Sequence, residues 1–290
     1  MGWKPDRRRL HRLTMLGVIL CGVATAASSE TIQQMFATIS NPTFVLHNHT
    51  GTVSVKGWDQ NRVEIKGERA SADAMDVLIE GTDEKVSVKA HPKRQNLSRQ
   101  EARVDLEIHL PRQALVRVDS EQGTVTVEDL ERGITVEGVT SAITLSRIRG
   151  DITARTLDGP IVIRSSEGHI EAASVSGDLS FVQVNASKFS ATTNSGTIRY
   201  QGDFGLGGTY QLHSYGSPIE IQASPRASFD VEARSIQGTI ENHLPLPSPP
   251  PPASVRPGRT GKSLQGRIST GKSTVQITSY SGTIRLSGAR

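Results

Sequence analysis

From Gly123 to Val184 the chain repeats one phrase every nine residues: a turn residue, often glycine, then apolar–polar–apolar, then a looser third apolar position. The first apolar position falls at Val125, Ile134, Ile143, Ile152, Ile161, Ile170 and Leu179. The second falls at Val127, Val136, Leu145, Ala154, Ile163, Ala172 and Phe181, and the third at Leu130, Val139, Ile148, Leu157, Ser166, Val175 and Val184. Alternation puts the first two on one face of a strand, so that Ile161 faces inward and Val162 outward. Gly123, Gly150, Gly159, Gly168 and Gly177 supply backbone freedom for tight turns. A strand this short cannot bury its apolar face alone, so the units must stack.

The same alternation, less evenly spaced, runs through Phe44-Val45-Leu46, Val53/Val55, Val63/Ile65, Val77/Ile79, Val86/Val88, Val104/Leu106/Ile108 and Val116/Val118. Beyond Val184 it continues at Phe189/Ala191, Ile198/Tyr200, Tyr210/Leu212, Ile219/Ile221, Phe229/Val231, Ile240, Val275/Ile277 and Ile284/Leu286. The pattern predicts an all-β, solenoid-like (β-helix-like) stack over about 43–288. A less regular N-terminal β region takes 43–118, the regular repeat 119–243, a Pro/Gly-rich loop 244–272 and closing strands 273–290. Residues 27–42 read as a linker, and the last strand is expected to close the stack. Outside the N-terminal leader only Ser71 to Val77 suggests a helix. Nine-residue phrases suit either a parallel solenoid with two phrases per coil or an antiparallel meander. Tight hairpins prefer Asn-Gly or Asp-Gly turns, rare here apart from Asp158-Gly159, and identical apolar ladders favour the parallel solenoid.

Residues 1–26 read as a secretory signal peptide: a basic start (Lys4, Arg7, Arg8, Arg9, Arg12), an apolar run at 13–23, then Ala24-Thr25-Ala26 as a small-x-small cleavage site. The run is short of the roughly 20 residues that span a bilayer. The leader changes the charge reading. The 33 basic and 29 acidic residues fall to 28 of each once its five basic and one acidic residues are set aside. The sequence pI of about 9.3 therefore belongs largely to the leader, and nothing global favours nucleic acid, which wants a concentrated basic surface. The only cysteine, Cys21, also lies there, so the mature chain has no disulfide or thiol chemistry. Membrane attachment enters only through an uncleaved leader or lipidation of Cys21, where Val18-Ile19-Leu20-Cys21-Gly22 loosely matches a lipobox.

Several motifs offer chemistry. Residues 266–273, GRISTGKS, satisfy G-x-x-x-x-G-K-S, but that loop cradles phosphate only where it opens a helix. Here Ser273 leads into the alternating Thr274-Val275-Gln276-Ile277-Thr278, so no nucleotide is expected. Calcium β-rolls need a G-G-x-G-x-D core, which is missing. His47 and His49 share a strand face without a visible third ligand, so no metal site is assigned. No catalytic or cofactor residue is assigned and no cofactor is expected. Asn48, Asn96 and Asn185 open glycosylation sequons. LPLPSPPPPASVRPG at 244–258 must be a loop, since proline donates no ladder hydrogen bond; it reads as a spacer.

The segment from Val104 to Phe181, VDLEIHLP leading into LVRVDSEQGTVTVEDL and the SGD and SGT turns beyond, resembles a bacterial family of exported β-strand-repeat proteins of unknown function, often labelled candidate adhesins. HNHTGTVSVKGWDQNRVEIKG and TSYSGTIRLSG fit the same family's opening and closing phrases. The resemblance implies an all-β solenoid-like fold outside the cytoplasm, in the periplasm or at the cell surface, and carries over no catalytic residue.

The expected function is a non-enzymatic envelope scaffold or binding platform, with outward rows such as Thr124/Thr126, Glu128, Thr135, Thr144, Arg155, Arg164, Glu171 and Ser180 meeting a polysaccharide or protein partner. The alternative is an enzyme acting on envelope glycan, for which Asp151, Asp158, Glu167 and Glu171 are the nearest acids.

Overall fold

The computed structural model describes residues 30–246 and 262–289, and these contain strands and turns but no helix. Each coil of the stack contributes one strand to each of two sheets whose inward side chains share one core. In stacking order the first coil is β5 (Lys85–Pro92) with β6 (Val104–Pro111). Next come β2 (Thr43–Trp58), β7 (Leu115–Glu128) and β8 (Gly133–Ser146), each long enough to bend from one sheet into the other. Then follow β9 (Arg149–Thr156) with β10 (Ile161–Arg164), β11 (Glu167–Ser174) with β12 (Leu179–Val182), and β13 (Asn185–Thr193) with β14 (Ile198–Gly202). The stack ends with β15 (Thr209–Ser214) and β16 (Ile219–Ala223), β20 (Thr274–Ser279) and β21 (Ile284–Gly288), and β17 (Phe229–Ser235) and β18 (Ile240–Asn242).

Neighbouring coils pair in parallel, and the register is the sequence pattern written in space. One sheet aligns Val116, Ile134, Ile152, Ile170, Phe189, Tyr210, Val275 and Val231. The other aligns Val125, Ile143, Ile161, Leu179, Ile198, Ile219, Ile284 and Ile240. Ile134 pairs with Ile152 and Ile143 with Ile161, so the true repeat is two phrases, one per sheet. A core position at i thus stacks on i+18 (Val116 on Ile134), about 4.8 Å away along the stack. The first two apolar positions are buried throughout, as the alternation requires.

The stacking order departs from the chain order at both ends. β2, which precedes β5 and β6 in the chain, lies between the β5–β6 coil and β7. β20 and β21, the last strands, lie between β15–β16 and β17–β18, so the last strand is sandwiched inside the stack and does not close it. The ends are finished by antiparallel strands: β4 (Met75–Gly81) on β5, β3 (Arg62–Arg69) on β6, and β19 (Lys262–Ile268) on β17. β1 (Glu30–Ala37) then pairs antiparallel with β3. Such atypical end units cover the edges that a parallel stack would otherwise expose for further strand addition.

Three boundaries follow differently from expectation. Residues 30–37, expected as linker, form β1, because Ile32 and Phe36 pack against the core beside β3. Residues 262–268, expected within a loop, form β19, whose Leu264 and Ile268 pack against the core in the same way. Ser71 to Val77 is a single turn, closed by the Met75 amide donating to the Ser71 carbonyl at 3.0 Å, and passes straight into β4. The leader with Cys21 and most of the proline-rich segment lie outside the described residues. Beyond Val184 the widened spacing comes from inserted residues. Ser187 is an extra residue, a bulge between Ala186 and Lys188, and the 203–208 connection adds more, while Phe181, Phe189, Tyr200, Phe204, Tyr210 and Phe229 are buried together there with ring centroids as close as 4.5 Å.

Candidate functional site

The two edges of the solenoid, where the chain passes between sheets, are built differently. On one edge Asp129, Arg147, Ser165 and Gln183 all adopt left-handed backbone, with φ of 63°, 55°, 48° and 53°. None is glycine, and each such residue carries a local cost near 1 kcal/mol. The twist turns the following residue inward, so Leu130, Ile148, Ser166 and Val184 close the core at that corner. The third apolar position is therefore buried only in alternate phrases. The amides of Asp129, Arg147, Ser165 and Gln183 donate to the carbonyls of Ser146, Arg164, Val182 and Gln201 at 2.8–3.2 Å, which carries the backbone ladder around the bend. Their side chains necessarily project outward in a row.

A second row runs beside the first through Gln113, Glu131, Arg149, Glu167 and Asn185. The Gln113 side-chain amide donates to Glu131 at 2.5 Å, and Arg149 lies 4.0 Å from Glu131 and 2.7 Å from Glu167. Within the first row the Arg147 guanidinium holds Asp129 at 2.7 Å and Glu128 at 2.8 Å. That ion pair keeps the Asp129 carboxyl below its ordinary range, since the Arg147 hydrogen bonds favour the charged form over the opposing effect of desolvation; Arg112 and Lys56 add to it. Between the rows lies a groove of about 450 Å³ lined by Arg112, Glu131, Arg149, Glu167 and Gln183 among others.

The groove runs on into a wider pocket of about 630 Å³, with Gln183 and Asn185 belonging to both. The pocket forms where the inserted last coil interrupts the edge. The connection from β16 to β17 must skip one level of the stack, and the turn into β20 passes beneath it. Ser228 joins the two, its hydroxyl accepting the Thr270 amide at 3.2 Å and the Lys272 amide at 3.4 Å. The 203–208 connection is held from below. Tyr210 Oη accepts the Gly205 amide at 2.7 Å and donates to the Ala186 carbonyl at 3.0 Å, while Tyr200 Oη donates to the Asp203 carbonyl at 2.5 Å. Burial pushes the Tyr200 phenol far up, so it stays a donor.

The opposite edge carries a different row. Ser120, Thr156, Ser174, Thr193, Ser214, Ser279 and Ser235 are buried there. The hydroxyls of Ser174, Thr193, Ser279 and Ser235 accept the amides of Gly177, Gly196, Gly282 and Gly238 at 2.8–3.0 Å. The next residue points out at several of these levels: Leu157 and Val175 are 57% and 46% exposed, Val139 after Gly138, which takes the serine position in its coil, is 44% exposed, and Tyr215 stacks on Tyr280 with centroids 4.8 Å apart.

The residues singled out in the sequence are dispersed over this frame. Glu167 lies in the groove, bound to Arg149; Glu171 pairs with Arg155 at 2.6 Å across a sheet face. Asp151 lies 3.8 Å from His169, and Asp158 accepts from the Ser176 hydroxyl at 3.1 Å on the opposite edge. Each acid is thus engaged by a different partner rather than by another acid of the set. His47 and His49 each take a carboxylate, Asp119 at 2.9 Å and Glu121 at 2.7 Å. No group of three or more metal-ligating side chains occurs among the described residues. GRISTGKS joins β19 to β20 through Ser269 and Gly271 at φ of 56° and 67°, strand to strand, with no helix at its end. Asn48, which opens a sequon, is buried and donates to the Val104 carbonyl at 3.4 Å. The groove residues Asp129, Arg147 and Gln183 and the pocket residue Arg226 were missed, and Lys272 was read only as part of GRISTGKS. For Asp129, Arg147 and Gln183 the signal available was the two-phrase recurrence of polar residues just before alternate third positions.

Fold and groove together define a capped, two-sheeted parallel β-solenoid with a polar groove along its arginine edge. The chain belongs to the Toastrack DUF4097 family, which matches residues 43–287. Among solved structures it is similar to a candidate adhesin from Parabacteroides distasonis (10% identity, TM-score 0.44, 90% of this chain and 98% of that one). It is also similar to a candidate adhesin from Bacteroides fragilis (11% identity, TM-score 0.40, again 90% and 98%). A candidate cell adhesion protein from Clostridium sporogenes aligns over 90% of this chain and 100% of its own, at 10% identity and TM-score 0.27. No curated protein matches the chain.

Proposed function

We propose that this protein is a non-enzymatic, exported cell-envelope component whose grooved edge is a binding platform for an extended polysaccharide. The observation that carries the reading is the pair of outward rows, Asp129–Arg147–Ser165–Gln183 and Glu131–Arg149–Glu167–Asn185, stepped at coil spacing on a hydrogen-bonded backbone. Polar side chains repeated about every 4.8 Å suit a ligand that itself repeats and lies along the stack. Fixing the row in advance lowers the ordering cost of binding. The basic, apolar and small-residue leader supports export to the periplasm or cell surface.

The test is to incubate the mature protein with envelope polysaccharides and measure retention and reducing ends together. Retention without new ends is expected. Release of ends would replace this reading with the glycan-acting enzyme, while a protein partner becomes the better account if neither occurs. The intact mass from the source organism should show cleavage near Ala26. Met1 retained in a cytoplasmic fraction overturns export, and a diacylglycerol adduct on Cys21 replaces cleavage with a lipid anchor.

A further inference from the structure

Along the narrow part of the groove the arginines are spoken for. Arg112 holds Asp59 at 2.8 Å, Arg147 holds Asp129 at 2.7 Å and Arg149 holds Glu167 at 2.7 Å. The wider pocket differs: it is lined by Arg226 and Lys272, and neither has a carboxylate within 4.0 Å among the described residues. The acid beside them, Asp203, accepts the amide of Phe204 at 2.8 Å and so is committed to shaping the loop. Two cations and one carboxylate thus leave the concave site with a net positive charge, whose field is stronger there than on an open face.

The other walls supply what a sugar needs. Gln183 and Asn185 bring neutral amides at the junction with the groove, and Leu206, 80% exposed at the tip of the 203–208 connection, offers an apolar surface beside them. That leucine sits on a backbone held by Tyr200, Tyr210 and Ser273, whose hydroxyl donates to the Gly205 carbonyl at 2.5 Å. Its exposure is thus a fixed property of the loop.

We propose that this pocket is the subsite for an anionic sugar, with Arg226 and Lys272 meeting the acid group and Leu206 packing on the C–H face of the ring. The inference rests on the polysaccharide reading above and adds that the ligand is acidic. Arg226→Ala/Lys272→Ala removes both charges from exposed positions and leaves the backbone bonds of Ser228 in place.

Titration calorimetry on the full chain decides it, with trigalacturonate, its neutral methyl ester and inorganic phosphate as probes, and Lys89→Ala, exposed on β5 in the first coil, as a charge control. The acid is expected to bind at least tenfold more tightly than the ester, with at least tenfold loss in the double variant, no loss in Lys89→Ala, and unchanged melting temperature. Equal affinity in the double variant, or equal affinity for acid and ester, overturns the anionic subsite but leaves the polysaccharide platform standing if any polysaccharide is retained. Phosphate binding as tightly as trigalacturonate would reduce the pocket to a plain anion site and defeat the sugar assignment. No retention of any polysaccharide removes both readings.

Discussion

The two edges of this solenoid are made from the same nine-residue phrase and solve the same problem in opposite ways. Both must turn the chain from one sheet to the other while keeping the ladder intact. The arginine edge does it with left-handed residues at Asp129, Arg147, Ser165 and Gln183, which swing an apolar side chain inward and leave a polar row outside. The serine edge does it with a buried hydroxyl that caps an amide three residues on, which swings the apolar side chain outward instead. The third apolar position of the phrase is thus a core residue on one edge and a surface residue on the other. A repeat that looks uniform at the level of hydrophobicity conceals a twofold difference in use: the arginine edge carries the polar groove, while a hollow of about 460 Å³ on the serine edge is lined by Val139 and Leu157 beside His47, Asp119 and Ser120.

Charge placed at that third position should separate the edges most. Ile148→Asp buries a carboxylate with no partner and is expected to cost about 4 kcal/mol or to prevent folding, whereas Leu157→Asp, on a half-exposed residue, should stay within about 0.5 kcal/mol. Urea unfolding of the two variants measures the contrast, and equal losses would contradict it. On the sheets themselves, Ile161→Asp should resemble the first variant, and Val162→Asp should cost far less.

Backbone substitutions give the next largest effect. At Gly177 an added Cβ would stand 1.7 Å from the Gly159 carbonyl of the next coil, so Gly177→Ala must push two coils apart and should cost about 1–3 kcal/mol. On the other edge, Gln183→Gly relieves a left-handed residue of its Cβ while adding freedom to the unfolded chain, and these should nearly cancel, to within about 0.5 kcal/mol. A large loss at Gln183→Gly would mean that its side chain, and not its backbone, holds the corner.

The smallest effect is electrostatic. The Asp129 carboxyl is held below its ordinary value chiefly by Arg147. A carboxyl depressed in the folded state contributes stability above its unfolded value, and that contribution is lost as pH falls through the folded value. The unfolded chain takes up the proton first, so unfolding free energy rises with pH across the acid range. Arg147→Ala should therefore lower stability above about pH 5, by under 1 kcal/mol for so exposed a pair, and leave it nearly unchanged near pH 3, which flattens the acid slope; high salt should shrink the difference. Melting curves at pH 3 to 6 would show it; an unchanged acid slope would count against the pair.

Much of the fold was legible because stacking transmits a local pattern without distortion. The spacing of Val125, Ile134 and Ile143 sets strand length, and identical ladders choose parallel coils. The candidate site was largely hidden. Arg226 and Lys272 lie 46 positions apart and meet only because the last coil is threaded between two earlier ones. Asp151, Asp158, Glu167 and Glu171 looked like a set because turns recur, yet the coil geometry sends Asp158 to one edge and Glu167 to the other.

Hydrophobic periodicity by itself determined the strands, their inward faces and the existence of a stack, since burial of alternate side chains is a local consequence of the pleat. Tertiary structure alone decided which coil lies beside which. The insertion of β2 and of β20–β21, the capping strands β1 and β19, and the pocket at the crossing depend on contacts between distant segments. Any coil with apolar faces could pair equally well with several others; the end strands, by occupying the two outer positions, leave each coil one place in the stack.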